Sequence, residues 1–193
     1  MRSPAPPRRE RWQTLLIAPA DLLRLLRHAA AGTRLKVPLL PPDTRVHDAS
    51  FDPERLGYLL ILESAFFEAV EVSERDGVLS GAWDEQILRF ENDETLDPLA
   101  APPAPGEAVP WEAFLFAPEE VLALLRLLSS GTRIDTAAVP PDARAVDAFF
   151  NPERGFFVLV LESALFLPAR PRQVGGVTHL ALPERLLRLS PSV

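Results

Sequence analysis

Charged side chains that recur at a fixed spacing are where this 193-residue sequence could do chemistry. Arg27, Arg34, Asp43, Arg45, Asp48, Glu54, Arg55 and Glu63 each have an identical partner 99 positions later, at Arg126, Arg133, Asp142, Arg144, Asp147, Glu153, Arg154 and Glu162. Many positions between them differ, so the shared ones stand out. Guanidinium groups are permanently charged forks that match carboxylate or phosphate. Arg34, Arg45 and Arg55, with Arg133, Arg144 and Arg154, therefore form a candidate ligand-binding set for a small anion. Asp48 with Glu63, and Asp147 with Glu162, form an alternative, because paired carboxylates move protons or hold a hard cation. The plainer roles are ion pairs, such as Arg55 with Glu54 or Asp52, and a wet sheet face that resists aggregation.

Histidine points away from catalysis. His28, His47 and His179 align with Leu127, Val146 and Ser80, so two like active sites built on histidine are excluded. His28 reads as an exposed helix residue and His47 as a strand position that tolerates valine. The absence of cysteine removes disulfides and thiolate metal sites. Neither half carries an HExxH, GxxxxGK[ST] or GxGxxG pattern. No catalytic residue, metal ligand or cofactor is assigned.

The same offset organises the chain. Trp12, Ala18-Pro19, Gly32-Thr33-Arg34, Pro41-Pro42-Asp43, Pro53-Glu54-Arg55 and Glu63-Ser64-Ala65 return, without a gap, from Trp111 to Glu162-Ser163-Ala164. The chain reads as a tandem duplication, with residues 1–11 a disordered tail, 12–90 a first α+β repeat, 91–110 an acidic and proline-rich linker, 111–189 a second repeat and 190–193 a tail.

Within a repeat, Trp12 to Ile17 suits a strand. Pro19 and Gly32 bracket a helix with Asp21 in its first turn, and Leu22, Leu23, Leu25 and Leu26 give it an apolar stripe. Asp52-Pro53 and Asn151-Pro152 supply turn chemistry between Arg45–Phe51 and Tyr58–Glu63. With Phe51 facing Tyr58, Asp48 lies opposite Ile61 and diagonal to Glu63 on one sheet face. Glu85–Phe90 and Glu184–Leu189 read as a last strand, or around Pro183 as a short helix. The expected fold class is α+β: a β-α-β-β(-β) module with its helix on a small antiparallel sheet. A module of about 80 residues buries too little surface alone, which favours a pseudo-two-fold arrangement of both copies.

A net charge of −7 disfavours nucleic acid as a partner. Arg2, Arg8, Arg9 and Arg11 form a local basic patch on a mobile end. Lys36, the sole lysine, points to GC-rich codon usage or a thermophilic source. Apolar runs such as Tyr58 to Leu62 are too short for a signal peptide or a membrane span, so the expected setting is cytoplasmic with no membrane partner.

The function expected from these residues is a non-catalytic binding protein. It would be a fused pseudo-dimer, monomeric or in a higher homo-oligomer, offering a cleft or surface to a small anionic ligand, nucleotide-type ones included, or to a protein partner. A phage or mobile element would use such a cleft to sequester a host signalling nucleotide. Two alternatives stand beside it: a hydrolase or metal-dependent enzyme built on the carboxylate pairs, and a structural adaptor docking a larger protein through residues such as Phe66 and Trp83.

Overall fold

A computed structural model describes residues 6–36, 40–88, 104, 106–134 and 139–189. The first half contains β1 (Arg8–Glu10), β2 (Trp12–Ile17), α1 (Pro19–Ala31), β3 (Arg45–Asp52), β4 (Gly57–Glu63), β5 (Val70–Arg75), β6 (Val78–Gly81) and β7 (Asp84–Leu88). The second contains β8 (Trp111–Phe116), α2 (Pro118–Ser130), β9 (Arg144–Asn151), β10 (Phe156–Glu162), β11 (Arg172–Val174), β12 (Val177–His179) and β13 (Glu184–Leu186). The chain is α+β, and from β2 onward the second half returns the element order of the first.

Both helices are bounded by local chemistry. Each opens on a proline, whose missing N–H is no loss in a first turn, and closes on a glycine in the left-handed region, Gly32 at φ 72° and Gly131 at φ 76°. Between these ends, Leu22, Leu23, Leu25 and Leu26 of α1 and Val121, Leu124, Leu125 and Leu128 of α2 are buried.

The main sheets have strand orders β3-β4-β2-β7 and β9-β10-β8-β13. Their first three strands are antiparallel, with Phe51 opposite Tyr58 and Asp48 opposite Ile61. The last strand departs from expectation: β7 runs parallel to β2, and β13 parallel to β8, so each sheet is mixed and Glu184–Leu186 is a strand rather than a helix. The reason is where the chain re-enters. β4 ends beside Trp12, the chain makes an excursion through β5 and β6, and it returns at the same end of the sheet, where β7 starts beside Gln13. It then has to run in the direction of β2.

The excursion is a hairpin turning at Asp76-Gly77, with φ of 54° and 79°, and its counterpart turns at Gly175-Gly176, with φ of 59° and 79°. Two successive positive φ values give the turn whose twist matches paired strands. β1 pairs with β5 and completes a three-stranded sheet, so residues 8–10 of the expected disordered tail are an ordered strand that satisfies the edge of β5. In the second half, a bridge between Val109 and Ala169 stands where Glu10 meets Val70, which attaches the end of the expected linker to the second unit. Residues 1–5, 91–103 and 190–193, the remainder of the expected tails and most of the linker, lie outside the described residues.

Leu15, Ile17, Tyr58, Leu60 and Leu62 from one sheet, and Phe114, Phe116, Phe157, Leu159 and Leu161 from the other, belong to a single buried cluster with both helices. The halves share one core.

Candidate functional site

The candidate arginines fall into three groups with different partners. Arg34 Nε donates to the Ser129 carbonyl at 3.0 Å, and Arg133 Nε to the Ala30 carbonyl at 3.0 Å, so each satisfies the last turn of the other half's helix. Arg27 donates to the Pro141 and Ala143 carbonyls, and Arg126 to those of Pro42 and Thr44. Leu35 N–H donates to Leu128 O and Ile134 N–H to Ala29 O in the same reciprocal manner. Arg34 and Arg133 thus brace the two halves rather than line a ligand cleft. Their acceptors are backbone carbonyls, which no residue type announces.

Arg55 and Arg154 lock the hairpins. Arg55 Nε reaches Asp52 at 2.8 Å while its Nη atoms grip both oxygens of Glu85 at 2.6 and 3.1 Å, tying the β3–β4 turn to β7. The carboxylates of Glu85 and then Asp52 hold this guanidinium even more firmly in its charged form. Asn151 replaces Asp52 in the second half, and Arg154 meets the single carboxylate of Glu184, at 2.9 and 3.0 Å, and lies 5.8 Å from the centre of the Phe156 ring. These two arginines are likewise occupied.

Arg45 and Arg144 remain. Arg45 donates twice to Glu63 Oε2, at 3.1 and 3.2 Å, and Arg144 to Glu162 at 3.2 and 3.3 Å. Their side chains are 73% and 60% exposed. The bonds to Glu63 first, and then its charge, raise the Arg45 pKa. The same bonds separate the proposed carboxylate pairs. Asp48 and Asp147 each accept the next residue's backbone N–H at 2.8 Å, while Glu63 and Glu162 turn to the arginines across the strand. A β-bulge between Val46 and Asp48 sets Arg45 opposite Glu63. Among the described residues, no three or more His, Cys, Asp or Glu side chains gather as a metal site.

The shared Pro-Pro-Asp and Glu-Ser-Ala segments close on each other. Asp43 accepts the Ser64 hydroxyl at 2.6 Å and the Ala65 N–H at 2.8 Å, and Asp142 accepts Ser163 and Ala164 at 2.7 and 2.9 Å. These donors, the hydroxyl foremost, hold both carboxyls below the usual range.

Beside that lock lies an open cleft of about 640 Å³ lined by Arg9, Glu10, Arg11, Asp43, Arg45 and Glu63 among others. Every carboxylate on it already has a partner: Glu10 forms an ion pair with Arg8 at 2.9 Å, Asp43 accepts from Ser64 and Ala65, and Glu63 accepts from Arg45. Arg11 donates to the Phe67 carbonyl at 2.6 Å. The Arg9 side chain has no hydrogen-bond or ion-pair partner among the described residues. The positions equivalent to Arg9 and Arg11 are Ala108 and Pro110, so these two arginines have no counterpart in the second half. Sequence reasoning named Arg45 but assigned Arg9 and Arg11 to a mobile end. The signal it passed over was an arginine-rich stretch directly before a strand.

No protein family model, curated protein or solved structure matches the chain. Among the described residues, no helix is long and apolar enough to cross a membrane.

Proposed function

We propose that this chain is a non-catalytic binding protein, a duplicated module folded as an internal pseudo-dimer, whose first half receives a small anionic ligand between Arg9 and Arg45. The observation that carries the reading is the cleft itself. It is open, its carboxylates are all engaged by cations or donors, and it holds one guanidinium with no partner among the described residues beside a second that is largely exposed. Carboxylate or phosphate groups, those of nucleotides included, suit such forks. The reciprocal Arg27/Arg126 and Arg34/Arg133 contacts and the single core support the pseudo-dimer. The enzyme alternative has less support, since Glu63 and Glu162 pair with arginines rather than with Asp48 and Asp147. Titration of sulfate into the protein, followed by NMR of the arginine side chains, tests the reading. Saturable shifts at Arg9 and Arg45, lost in Arg9→Ala, support it, and the absence of any shift ends it.

The adaptor reading rests on a different surface. Phe66 and Leu165, at equivalent positions, are 74% and 72% exposed, and Leu167 is 79% exposed. Trp83 does not contribute freely to such a surface, since its indole N–H donates to Thr14 at 2.7 Å. Loss of a specific co-purifying protein in Phe66→Ser with Leu165→Ser would favour this second role.

A further inference from the structure

The outer faces of the two main sheets differ at one equivalent position of their edge strands, His47 in β3 and Val146 in β9. Val146 of β9 sits in an apolar cluster with Ala113, Leu115, Val158 and Val160. Its counterpart His47 stacks on Trp12 instead, with ring centroids 4.4 Å apart and planes 27° from parallel. The exchange coincides with a change in the glutamate beside it. Trp111 donates its indole N–H to Glu162 Oε2 at 3.2 Å. The indole nitrogen of Trp12, a residue 2% exposed, has no acceptor among the described residues. Glu63 Oε2 lies 3.9 Å from His47 Nδ1 and accepts both bonds from Arg45. His47 occupies the β-bulge, next to the rim of the anion cleft that Arg45 and Glu63 line.

The charged groups around this ring are few. Glu63 faces it from β4, and Arg45 and Asp48 flank it on β3. Arg8 of β1 lies 5.8 Å from the centre of the Trp12 ring and is itself paired with Glu10. Asp43 acts on Arg45 through its charge.

We propose that His47 is a proton-operated control on the anion cleft, an inference that rests on the cleft reading above. Neutral His47 leaves Glu63 to Arg45, whose Nε and Nη2 are then both engaged. Protonated His47 is a cationic donor at both ring nitrogens. A side-chain shift of about 1 Å brings Nδ1 within hydrogen-bond distance of the same carboxylate oxygen. It then competes with Arg45 for Glu63, loosens that guanidinium toward the cleft and adds positive charge at the rim. The cleft therefore binds anions more tightly as pH falls through the range in which histidine side chains take up a proton.

Sulfate remains a dianion throughout that range, so a change in its affinity reports on the protein. The test measures sulfate affinity of the whole chain across that range. The Arg45 Nε–H and His47 ring NMR signals are followed in parallel without sulfate. The expected result is binding about fivefold tighter on the acid side, the scale of one unit charge a few ångströms away in a water-like medium. The Arg45 signal should move with the His47 midpoint. His47→Val, which installs the residue found at the equivalent position 146, should remove both effects. An Arg45 signal that stays still while His47 titrates overturns the inference without any ligand. Sulfate affinity independent of pH, or pH dependence that persists in His47→Val, overturns it and leaves the cleft reading standing. No sulfate binding at any pH in that range overturns both.

Discussion

Tyr58 and Phe157 occupy the same position in the two halves and meet each other, ring centroids 4.6 Å apart. Each also packs on its own hairpin, Tyr58 against Phe51 at 5.4 Å and Phe157 against Phe150 at 5.5 Å. Contact between equivalent residues is what a two-fold interface produces. Only the phenol breaks the symmetry: it donates to the Val158 carbonyl, and burial, aided by the charge of Asp147, pushes its pKa well up. Tyr58→Phe should cost about 1 kcal/mol, the usual net worth of such a bond. Phe157→Ala should cost about 3–5 kcal/mol by opening a cavity. Because the core is shared, chemical denaturation should show one transition. Amide exchange in β2 and β8 should accelerate together in Phe157→Ala, and separate transitions would contradict the single core.

Gly32 and Arg34 explain why Gly-Thr-Arg occurs twice. The glycine ends its own helix, and the arginine two residues on serves the helix of the other half. The fit is close, since a Cβ on Gly131 would stand 3.3 Å from Arg34 Cβ, and one on Gly32 would stand 3.4 Å from Arg133 Cβ. Gly131→Ala should therefore cost about 1–2 kcal/mol, mainly from the left-handed backbone. Arg34→Ala, at an exposed site, should cost under about 1 kcal/mol. Its signature is location: hydrogen exchange should quicken in the last turn of α2, more than 90 residues away in sequence, and leave the end of α1 unchanged.

Asp43 and Asp142 set an acid limit on stability. Their folded-state pKa values are depressed by the Ser64 and Ser163 hydroxyls and the neighbouring backbone N–H groups. A depressed carboxyl contributes stability that is fully present above its unfolded pKa and is lost as pH falls through the folded value. Asp43→Asn and Asp142→Asn also turn an amide NH₂ or a weaker acceptor toward the Ala65 and Ala164 N–H groups. Each variant should melt several degrees below the parent at neutral pH, with the gap narrowing in acid as the parent's carboxyls protonate. Melting temperatures across a pH series check this, and a gap constant with pH would remove the carboxylate's role.

Much of the fold was legible because local chemistry decides it. Pro19 and Gly32 mark the ends of α1 within a residue, and Asp52, which accepts the N–H groups of Glu54 and Arg55, fixes the turn that places Phe51 opposite Tyr58. The β5–β6 and β11–β12 hairpins passed unread even though Asp76-Gly77 and Gly175-Gly176 carry the turn signal. β11 and β12 are exposed at every position, so no alternation of apolar and polar residues betrays them. The parallel placement of β7 depends on where the chain re-enters the sheet, which no local pattern encodes. At the site, the pairing of Arg55 with Asp52 was readable at short range, whereas its grip on Glu85, 30 residues on, was not. Arg9 could be read as part of a cleft only once β1 was known to pair with β5.

Asp48 and Glu63 provide a direct check on the carboxylate alternative. Glu63 is bound by Arg45 and Asp48 by the Ala49 N–H, so neither carboxylate turns to the other. Asp48→Asn should leave the Arg45 Nε–H NMR signal, which reports the bond to Glu63, unchanged, whereas Glu63→Gln should move it. Movement of that signal in Asp48→Asn would restore the pair as a chemical unit.

Arg45 and Arg144 are equivalent in strand position and in carboxylate partner, yet they should not be equivalent in binding. Each emerges from the start of its strand and bonds a glutamate across the sheet. Arg45 opens on a cleft that also holds Arg9 and Arg11, whereas the residues equivalent to these two in the second half are Ala108 and Pro110. One guanidinium near water-exposed surface holds an anion weakly, and several converging ones hold it by summed charge and forked hydrogen bonds. Arg45→Ala should weaken sulfate binding at least tenfold, and Arg144→Ala should leave it within a factor of about two, the scale expected for a distant, screened charge. Both variants should melt close to the parent, since exposed ion pairs contribute little to stability. Equal losses from the two substitutions, measured side by side at one ionic strength, would place the anion site elsewhere on the molecule.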